Sequence, residues 1–383
     1  MPNNKKISAY LHIPFCEHIC YYCDFNKVFL EGQPVDEYIQ LLLKEIALTQ
    51  ESYPVKEIPT IYIGGGTPSS LSAKQLEVLL DGVRTLLPYH EEGEFTMEAN
   101  PGDLTAEKMS VMKSFGVNRI SLGVQTFDNR LLKKIGRKHT AEQVFETVNL
   151  LKQQHFENIS LDLIYALPTQ TMESLDETLD LALSLDLPHY SLYSLILENK
   201  TQFMNWVRKG KLELPNEDVQ ADMFARTIEK MNEKKLFQYE ISNFAKAGFE
   251  SKHNLVYWNN EHYYGFGAGA SGYLENVRLR NHGPIQHYMT PLRKGELPIL
   301  EKEHLTRENQ MEEEMFLGLR KRSGISKKKF SEKFNVSFEE IYGEVTRKLI
   351  QQGLIEEKEG FLVLTERGLY VGNTVFEEFL LLD

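Results

Sequence analysis

The chain has 383 residues, 42% of them apolar, and a formal net charge of −12. This length allows one large or two medium domains with a substantial core. The acidic balance argues against a nucleic-acid partner, and no stretch reaches the roughly 18–20 apolar residues of a transmembrane anchor. Because no signal peptide is evident either, we expect a cytoplasmic protein.

Short apolar strands alternate with amphipathic helices from the start of the chain to about residue 240. The predicted strands are 8–13, 60–63, 94–98, 119–123, 158–164 and 190–195. The predicted helices are 36–50, one that begins near 72, 106–115, 142–152, 175–183 and 218–234. The strands look too apolar for a half-exposed sheet, and six β/α units are two fewer than a closed barrel contains. We therefore predict an α/β fold, a partial (β/α)6 barrel over residues 1–240.

The pattern changes after residue 300, with a connecting segment at 241–300 before it. Helices are predicted at 312–319, 326–334 and 338–351, followed by a hairpin at 354–357 and 361–364 and a last amphipathic segment. Three helices and a hairpin are typical of a winged helix. Residues 301–383 carry 13 Lys and Arg against 17 Asp and Glu. We therefore expect a winged-helix-like domain with a structural or interaction role instead of a DNA-binding one.

All three cysteines lie within eight residues, in a C-x3-C-x2-C run formed by Cys16, Cys20 and Cys23. A [4Fe–4S] cluster held by three thiolates keeps one iron free to bind another ligand. A disulfide would leave one thiol over, and a structural zinc ion would need His12 or His18 as its fourth ligand. The spacing favours the cluster.

Polar residues follow the predicted strands at their carboxyl ends, where such folds place their chemistry. A Gly-Gly-Gly-Thr-Pro loop follows the second strand, and Glu98, Gln125, Asp162 and Tyr193 lie at or near later strands. The glycines indicate close approach of a ligand to the backbone, next to a helix that opens at residues 68–69 and turns its positive end to the same pocket. Each residue also has a structural alternative, which for Glu98 is an ion pair with Arg119.

Five segments together resemble the radical S-adenosylmethionine (SAM) enzymes of the coproporphyrinogen dehydrogenase group. They are Tyr-x-His-Ile-Pro-Phe-Cys-x3-Cys-x-Tyr-Cys, Gly-Gly-Gly-Thr-Pro, Ser-Leu-Gly-Val-Gln-Thr-Phe, Ile-Gly-Arg-Lys-His and Asp-Leu-Ile-Tyr-Ala-Leu-Pro. The resemblance runs from about residue 8 to 275 and through the C-terminal domain. It implies that the three cysteines bind a [4Fe–4S] cluster, that a reductant serves the cluster, and that the amino and carboxylate groups of SAM bind the open iron. The SAM pocket implied in this way comprises Tyr10, the backbone at Tyr22, Gly65, Gly66, Thr67, Glu98, Gln125, Arg137 and Asp162.

Two departures distinguish the chain from the decarboxylating members of that group. Those enzymes resemble C-x3-C-x2-C-x-C and carry a long extension before the cluster loop, whereas this chain has Phe25 at the extra cysteine position. The segment His253-Asn-Leu-Val-Tyr257-Trp258 is instead characteristic of the haem chaperone branch. Its imidazole could ligate haem iron and its two aromatic rings could stack on a porphyrin, or the histidine could belong to a packed loop. A glycine-rich turn at 265–270, expected to be flexible, could border the same pocket.

The prediction that follows is a haem chaperone on a radical SAM scaffold. It would hold a [4Fe–4S] cluster and SAM, bind haem, and pass the haem to an acceptor such as a respiratory haemoprotein, with at most peripheral membrane contact. No catalytic residue is assigned, and we expect no coproporphyrinogen oxidase activity. The alternatives are oxygen-independent coproporphyrinogen III oxidation and an acidic interaction protein whose cluster is purely structural.

Overall fold

The computed structural model describes residues 6–381, so residues 1–5 and 382–383, at the outer ends of the first and last predicted domains, lie outside it. The strands are β1 Ser8–Ile13, β2 Phe15–Cys16, β3 Val28–Phe29, β4 Ile58–Gly65, β5 Tyr89–Ala99, β6 Arg119–Gln125, β7 Asn158–Tyr165, β8 His189–Ser194, β9 Phe237–Glu240, β10 Asn243–Ala245, β11 Tyr263–Phe266, β12 Ser271–Leu274, β13 Val277–Asn281, β14 Ile299–His304, β15 Ile325–Ser326, β16 Ile355–Lys358 and β17 Phe361–Leu364. The helices are α1 Val35–Ser52, α2 Ala73–Leu86, α3 Ala106–Ser114, α4 Asn129–Lys134, α5 Ala141–Gln153, α6 Met172–Ser184, α7 Gln202–Arg208, α8 Glu217–Glu233, α9 Lys252–Trp258, α10 Ile285–Arg293, α11 Arg307–Gly318, α12 Lys327–Phe334, α13 Phe338–Gln351, α14 Glu366–Tyr370 and α15 Gly372–Glu377.

The main sheet has twelve strands in the order β14-β13-β12-β11-β1-β4-β5-β6-β7-β8-β10-β9. The six predicted strands are β1, β4, β5, β6, β7 and β8, which pair in parallel in chain order. At the β8 end the next strand, β10, is antiparallel, whereas at the β1 end the parallel strand β11 comes before antiparallel β12, and the sheet does not close. The predicted partial (β/α)6 barrel is therefore confirmed.

The parallel strands have two different faces, which the prediction of uniformly apolar strands did not anticipate. Ile61, Met97, Ile120 and Leu161 are completely buried in the apolar core. Their neighbours along each strand, such as Ser121, point the other way and line the cavity described below. Since successive side chains alternate between faces, each strand carries one apolar row and one largely polar row.

Residues 241–300, predicted as a connecting segment, contribute strands to the same sheet. β11 pairs in parallel with β1, from Ser8 opposite Tyr263 to Leu11 opposite Phe266, and β12, β13 and β14 extend the edge. The turn after β11 was expected to be flexible. In this turn the Tyr38 hydroxyl accepts a hydrogen bond from the backbone N–H of Ala268 at 2.9 Å.

The C-terminal region contains α11, α12 and α13 and a three-stranded sheet in the order β15-β17-β16. The predicted three helices and hairpin are therefore present, with β15 as an additional strand. This region packs on the barrel through the backbone N–H of Arg322, which donates to the carbonyl of Tyr239 at 3.0 Å. Between residues 6 and 381, no helix is both long and apolar enough to cross a membrane.

Candidate functional site

A cavity of about 570 Å³ opens at the carboxyl ends of the parallel strands. Most of the predicted site residues line it, namely Cys16, Cys20, Cys23, Tyr22, Gly65, Gly66, Thr67, Glu98, Gln125, Arg137 and Asp162. Four predicted residues do not, namely Tyr10, His253, Tyr257 and Trp258. The ring of Tyr10 lies behind the cavity wall, 6.1 Å from that of Tyr62.

The three cysteines form one wall of the cavity and are free thiols. The Thr67 hydroxyl donates to the sulfur of Cys16 at 3.5 Å, and a guanidinium nitrogen of Arg137 donates to the sulfur of Cys20 at 3.5 Å. Burial raises the pKa of the Cys16 thiol and raises the pKa of Cys23 to about 11. Binding of metal here must therefore release protons, because thiolates are the ligands.

The donor set fits a cluster better than a single ion. Within residues 6–381 no three His, Cys, Asp or Glu side chains are close enough to hold one metal ion. A zinc ion would need such a group, whereas each thiolate of a cubane cluster binds a different iron. His12 cannot complete a zinc site as placed, because its Nδ1 is 2.9 Å from the Tyr10 hydroxyl and its Nε2 is 2.7 Å from the carbonyl oxygen of Asn26.

The cysteine loop is attached to a distant part of the chain through Asn26. Its side-chain amide donates to the carbonyl oxygens of Ala268 at 2.8 Å and Gly283 at 2.9 Å. Residues 267–270 are in turn held against β1, since the Tyr38 hydroxyl also donates to the carbonyl oxygen of His12. The position of the three thiols thus depends on residues of the turn after β11.

The glycines at 64–66 are required by neighbouring protein atoms. A Cβ on Gly66 would lie 2.9 Å from the sulfur of Cys16, and one on Gly64 would lie 2.8 Å from the carboxyl carbon of Glu98. Gly65 has φ +118° and would place a Cβ 2.6 Å from the His12 ring. The expected helix at residues 68–69 is only a single 3-10 turn at Pro68–Ser70.

The nearby helix α2 starts at Ala73, in agreement with the helix predicted to begin near residue 72. Its N-cap residue Ser72 accepts from the backbone N–H of Gln75. The prediction that a helix end at residues 68–69 faces the pocket is therefore wrong.

Two buried acids lie beside the cavity. Glu98 accepts from the Tyr62 hydroxyl at 2.7 Å and from the backbone N–H of Gly65 at 3.0 Å, and it does not pair with Arg119. Burial raises the pKa of Glu98 to about 7, although the hydrogen bond from Tyr62 opposes this shift. Burial also raises the pKa of Asp162, whose carboxylate accepts from the Ser121 hydroxyl at 2.8 Å.

Gln125 ends β6 in a left-handed conformation with φ +70°. The register of β6 against β7 shifts between Gly123 and Gln125, so the strand is irregular where it reaches the cavity. Such a conformation is costly for a residue with a side chain, and it occurs preferentially at functional sites. Arg137 is fixed on this side by a bond to the carbonyl oxygen of Gly123.

His253 is 1% exposed in α9, behind the cavity. Its Nδ1 is 2.8 Å from the Thr60 hydroxyl, which itself donates to Ser8, and its Nε2 is 2.9 Å from the Tyr257 hydroxyl. Because the Thr60 hydroxyl donates its proton to Ser8, it can only accept from His253. Nδ1 of His253 therefore carries the ring proton, and Nε2 accepts a hydrogen bond from the Tyr257 hydroxyl. As placed, neither nitrogen is available to haem iron, which favours the packed-loop alternative.

The rest of the motif connects the barrel to the C-terminal region. The Arg320 guanidinium lies 4.5 Å from the centre of the Trp258 ring, in a cation–π contact. The carboxylate of Glu94 accepts the backbone N–H groups of Lys252 and His253, both at 3.0 Å. Asn254 is the member of the motif that reaches the cavity lining.

Three large apolar side chains at the cavity are exposed, and the sequence reasoning missed two of them as candidates. Phe25 is 60% exposed, Tyr193 43% and Ile196 68%. We call these three residues the apolar rim. Exposed apolar groups that cluster at a pocket indicate a binding surface for an apolar ligand or partner.

Further polar residues of the lining were missed as ligand contacts, namely Asn100, Arg119, Ser121 and Ser191. The alternation of polar and apolar residues from 119 to 125 is a signal that could have found two of them, because it places Arg119 and Ser121 on the same face as Gln125.

The chain matches the model of the radical SAM superfamily over residues 10–182 and that of the HemN C-terminal domain over residues 305–371. Haem chaperone HemW of Lactococcus lactis is 53% identical over 381 residues, which cover 99% of this chain and 98% of the relative. Haem chaperone HemW of Bacillus subtilis is 50% identical over 374 residues, with coverages of 97% and 99%.

Coproporphyrinogen III oxidase HemN of Escherichia coli has a similar structure, with a TM-score of 0.87 over 99% of this chain and 91% of that one. At 21% sequence identity this likeness establishes the common fold alone. The full-length similarity to the two curated relatives, together with the two family models, shows that the chain belongs to the HemW family of radical SAM proteins.

Proposed function

We propose that this protein is a haem chaperone that binds a [4Fe–4S] cluster and SAM in the cavity, binds haem at the apolar rim, and transfers the haem to an acceptor haemoprotein. The names of the curated relatives and the radical SAM family support this proposal. The observation that carries the haem site is the apolar rim, because a porphyrin presents a broad apolar face that needs such a surface.

Cys16, Cys20 and Cys23 would hold the cluster, and the polar residues of the lining would hold SAM. The cluster, when bound and reduced by an external reductant, supplies the electron that radical SAM chemistry uses. Glu98 would accept a hydrogen bond from the amino group of SAM, and Gln125 would fix the ligand through its side-chain amide.

SAM affinity should rise with pH through neutrality. Burial raises the pKa of Glu98 to about 7, so the carboxyl of the free site is half protonated at that pH, while a hydrogen bond donated by the amino group of SAM favours the ionised carboxylate. Between about pH 6 and about pH 7.5 the ionised fraction, and with it the affinity, should increase about eightfold. Calorimetric titration of SAM into the anaerobic protein measures this. A Glu98→Gln variant should bind SAM more weakly and without the pH dependence, and an unchanged slope in that variant would contradict the assignment.

The haem site is tested by titration of haem into anaerobic protein with and without the reconstituted cluster. We expect one haem per chain, and a Phe25→Ser substitution should weaken binding about tenfold because it removes an aromatic surface from the rim. Phe237→Ser is the matched control, since Phe237 is 58% exposed on β9 and does not line the cavity. Equal effects of the two substitutions would reject the rim as the haem site.

Transfer is tested by mixing haem-loaded protein with an apo-haemoprotein and following the absorbance change of the acceptor. Transfer faster than haem loss to buffer supports the chaperone function. The same reconstituted protein, given SAM, a reductant and coproporphyrinogen III, should form no protoporphyrinogen. Formation of that product at many turnovers would replace the chaperone proposal with an oxidase.

A further inference from the structure

Arg119 is a buried cation to which neither the cysteine loop nor the predicted SAM pocket assigns a role. Its side chain lines the cavity, although the residue is only 2% exposed. Its Nε has no hydrogen-bond partner, and within residues 6–381 the guanidinium makes no ion pair and donates no hydrogen bond. A buried charge without a hydrogen-bonded partner is unfavourable, so such a group indicates a missing anionic partner.

The neighbours of Arg119 do not supply that partner. His189 and His253 are buried, and burial together with the charge of Arg119 lowers the pKa of both, that of His253 to about 3. Both imidazoles are therefore neutral. The two ring nitrogens of His189 are hydrogen-bonded to the hydroxyls of Ser160 and Tyr239. Asp162 is within electrostatic reach, and the charge of Arg119 opposes the rise of its pKa, but its carboxylate accepts hydrogen bonds from serine hydroxyls and forms no ion pair with Arg119.

The position of Arg119 separates it from the cysteine wall. Arg119 is opposite Thr96 in the sheet, whereas Glu98 is opposite Ser121. The backbone of Arg119 therefore lies two residues, or about 7 Å, further from the carboxyl end of the strands than Glu98, towards the floor of the cavity. Arg137, the other guanidinium of the lining, is bonded to the sulfur of Cys20 and to the carbonyl of Gly123. The two cations thus serve different regions of the cavity.

We propose that Arg119 is the anchor of a second anionic subsite on the cavity floor, which binds a carboxylate arm of the ligand, and that in this chaperone the arm is a haem propionate. The identification of the arm rests on the proposed haem function. A guanidinium matches a carboxylate with two parallel hydrogen bonds. The two acids nearby, Glu98 and Asp162, make a doubly charged phosphate less suitable than a singly charged carboxylate.

The test compares haem with haem dimethyl ester, whose propionates are uncharged, on cluster-loaded protein. In the wild-type protein the ester should bind about ten- to a hundredfold more weakly than haem. Arg119→Gln should weaken haem binding by a similar factor and leave ester binding unchanged. The haem affinity of Arg119→Lys should lie between those of the wild-type protein and Arg119→Gln. Arg130→Gln, which removes an exposed guanidinium paired with Asp128, should change neither. SAM affinity should stay within about twofold of wild type in all variants.

Each other outcome overturns the subsite. Loss of SAM affinity with normal haem affinity would show that Arg119 holds the carboxylate of SAM. Equal binding of haem and ester by the wild-type protein would exclude a propionate anchor, and this comparison needs no variant if Arg119→Gln fails to fold. Failure of the wild-type protein to bind either compound would reject the haem function itself, a result distinct from haem binding that ignores esterification.

Discussion

Substitution of Cys20 by alanine should abolish the cluster. Iron and acid-labile sulfide in anaerobically reconstituted protein should fall from about four of each per chain to below one, because two thiolates cannot retain a cubane. The fold should persist, since Cys20 lies half-buried on a loop and contributes no core packing. Chemical analysis of iron and sulfide together with electron paramagnetic resonance of the reduced protein measures the effect.

Thr67→Val is the matched control for this experiment. It removes the hydrogen bond from the hydroxyl to the sulfur of Cys16 but no ligand. The iron and sulfide content should stay unchanged, while the midpoint potential should become more negative because a hydrogen bond to the cluster sulfur is lost. A variant of Cys20 that keeps a full cluster would mean that another residue supplies a ligand.

His253→Ala should destabilise the protein without changing the haem spectrum. The substitution breaks the hydrogen bonds to Thr60 and Tyr257 and removes a ring 5.2 Å from that of Tyr62. Loss of a buried, fully bonded side chain costs about 3 kcal/mol, which for a protein of this size lowers Tm by about 4 °C. Thermal unfolding followed by circular dichroism, and the absorption spectrum of the haem complex, provide the two measurements.

His90→Ala is the control, since its side chain is 45% exposed and its removal should leave Tm nearly unchanged. A normal Tm for His253→Ala together with a changed haem spectrum would restore His253 as the iron ligand. The distinction matters because a substitution that merely unfolds the chain also abolishes haem binding, and activity alone cannot separate the two roles.

The parallel strands of the core could be predicted because each of them has a recognisable pattern in its own residues. Residues 158–164 alternate apolar positions and are followed by a helix, and the observed strand Asn158–Tyr165 differs from the prediction by one residue. The strand Tyr263–Phe266 was missed, since its parallel partner is β1, more than 250 residues earlier in the chain. Nothing in a local pattern identifies so distant a partner.

The candidate site divides in the same way. The cysteine spacing and the glycine loop are local motifs, and the structure brings them together at one cavity. His253 illustrates the opposite case, because its surroundings come from β1, β4 and α9, and only their assembly shows that both ring nitrogens are bonded. Arg119 was considered only as a partner of Glu98, since its burial and lack of partners are properties of the assembled sheet.

The attachment of Asn26 to Ala268 and Gly283 has a consequence for biosynthesis. The three residues are separated by 242 and 257 positions in the chain. At ~5–20 residues per second, a ribosome needs about 13–50 s to synthesise that interval. During this time the cysteine-bearing segment of the nascent polypeptide has already emerged but lacks the carbonyl groups that hold it. If a cluster is inserted here, we therefore expect its insertion late in translation or after release, with the thiols in a reducing environment until then.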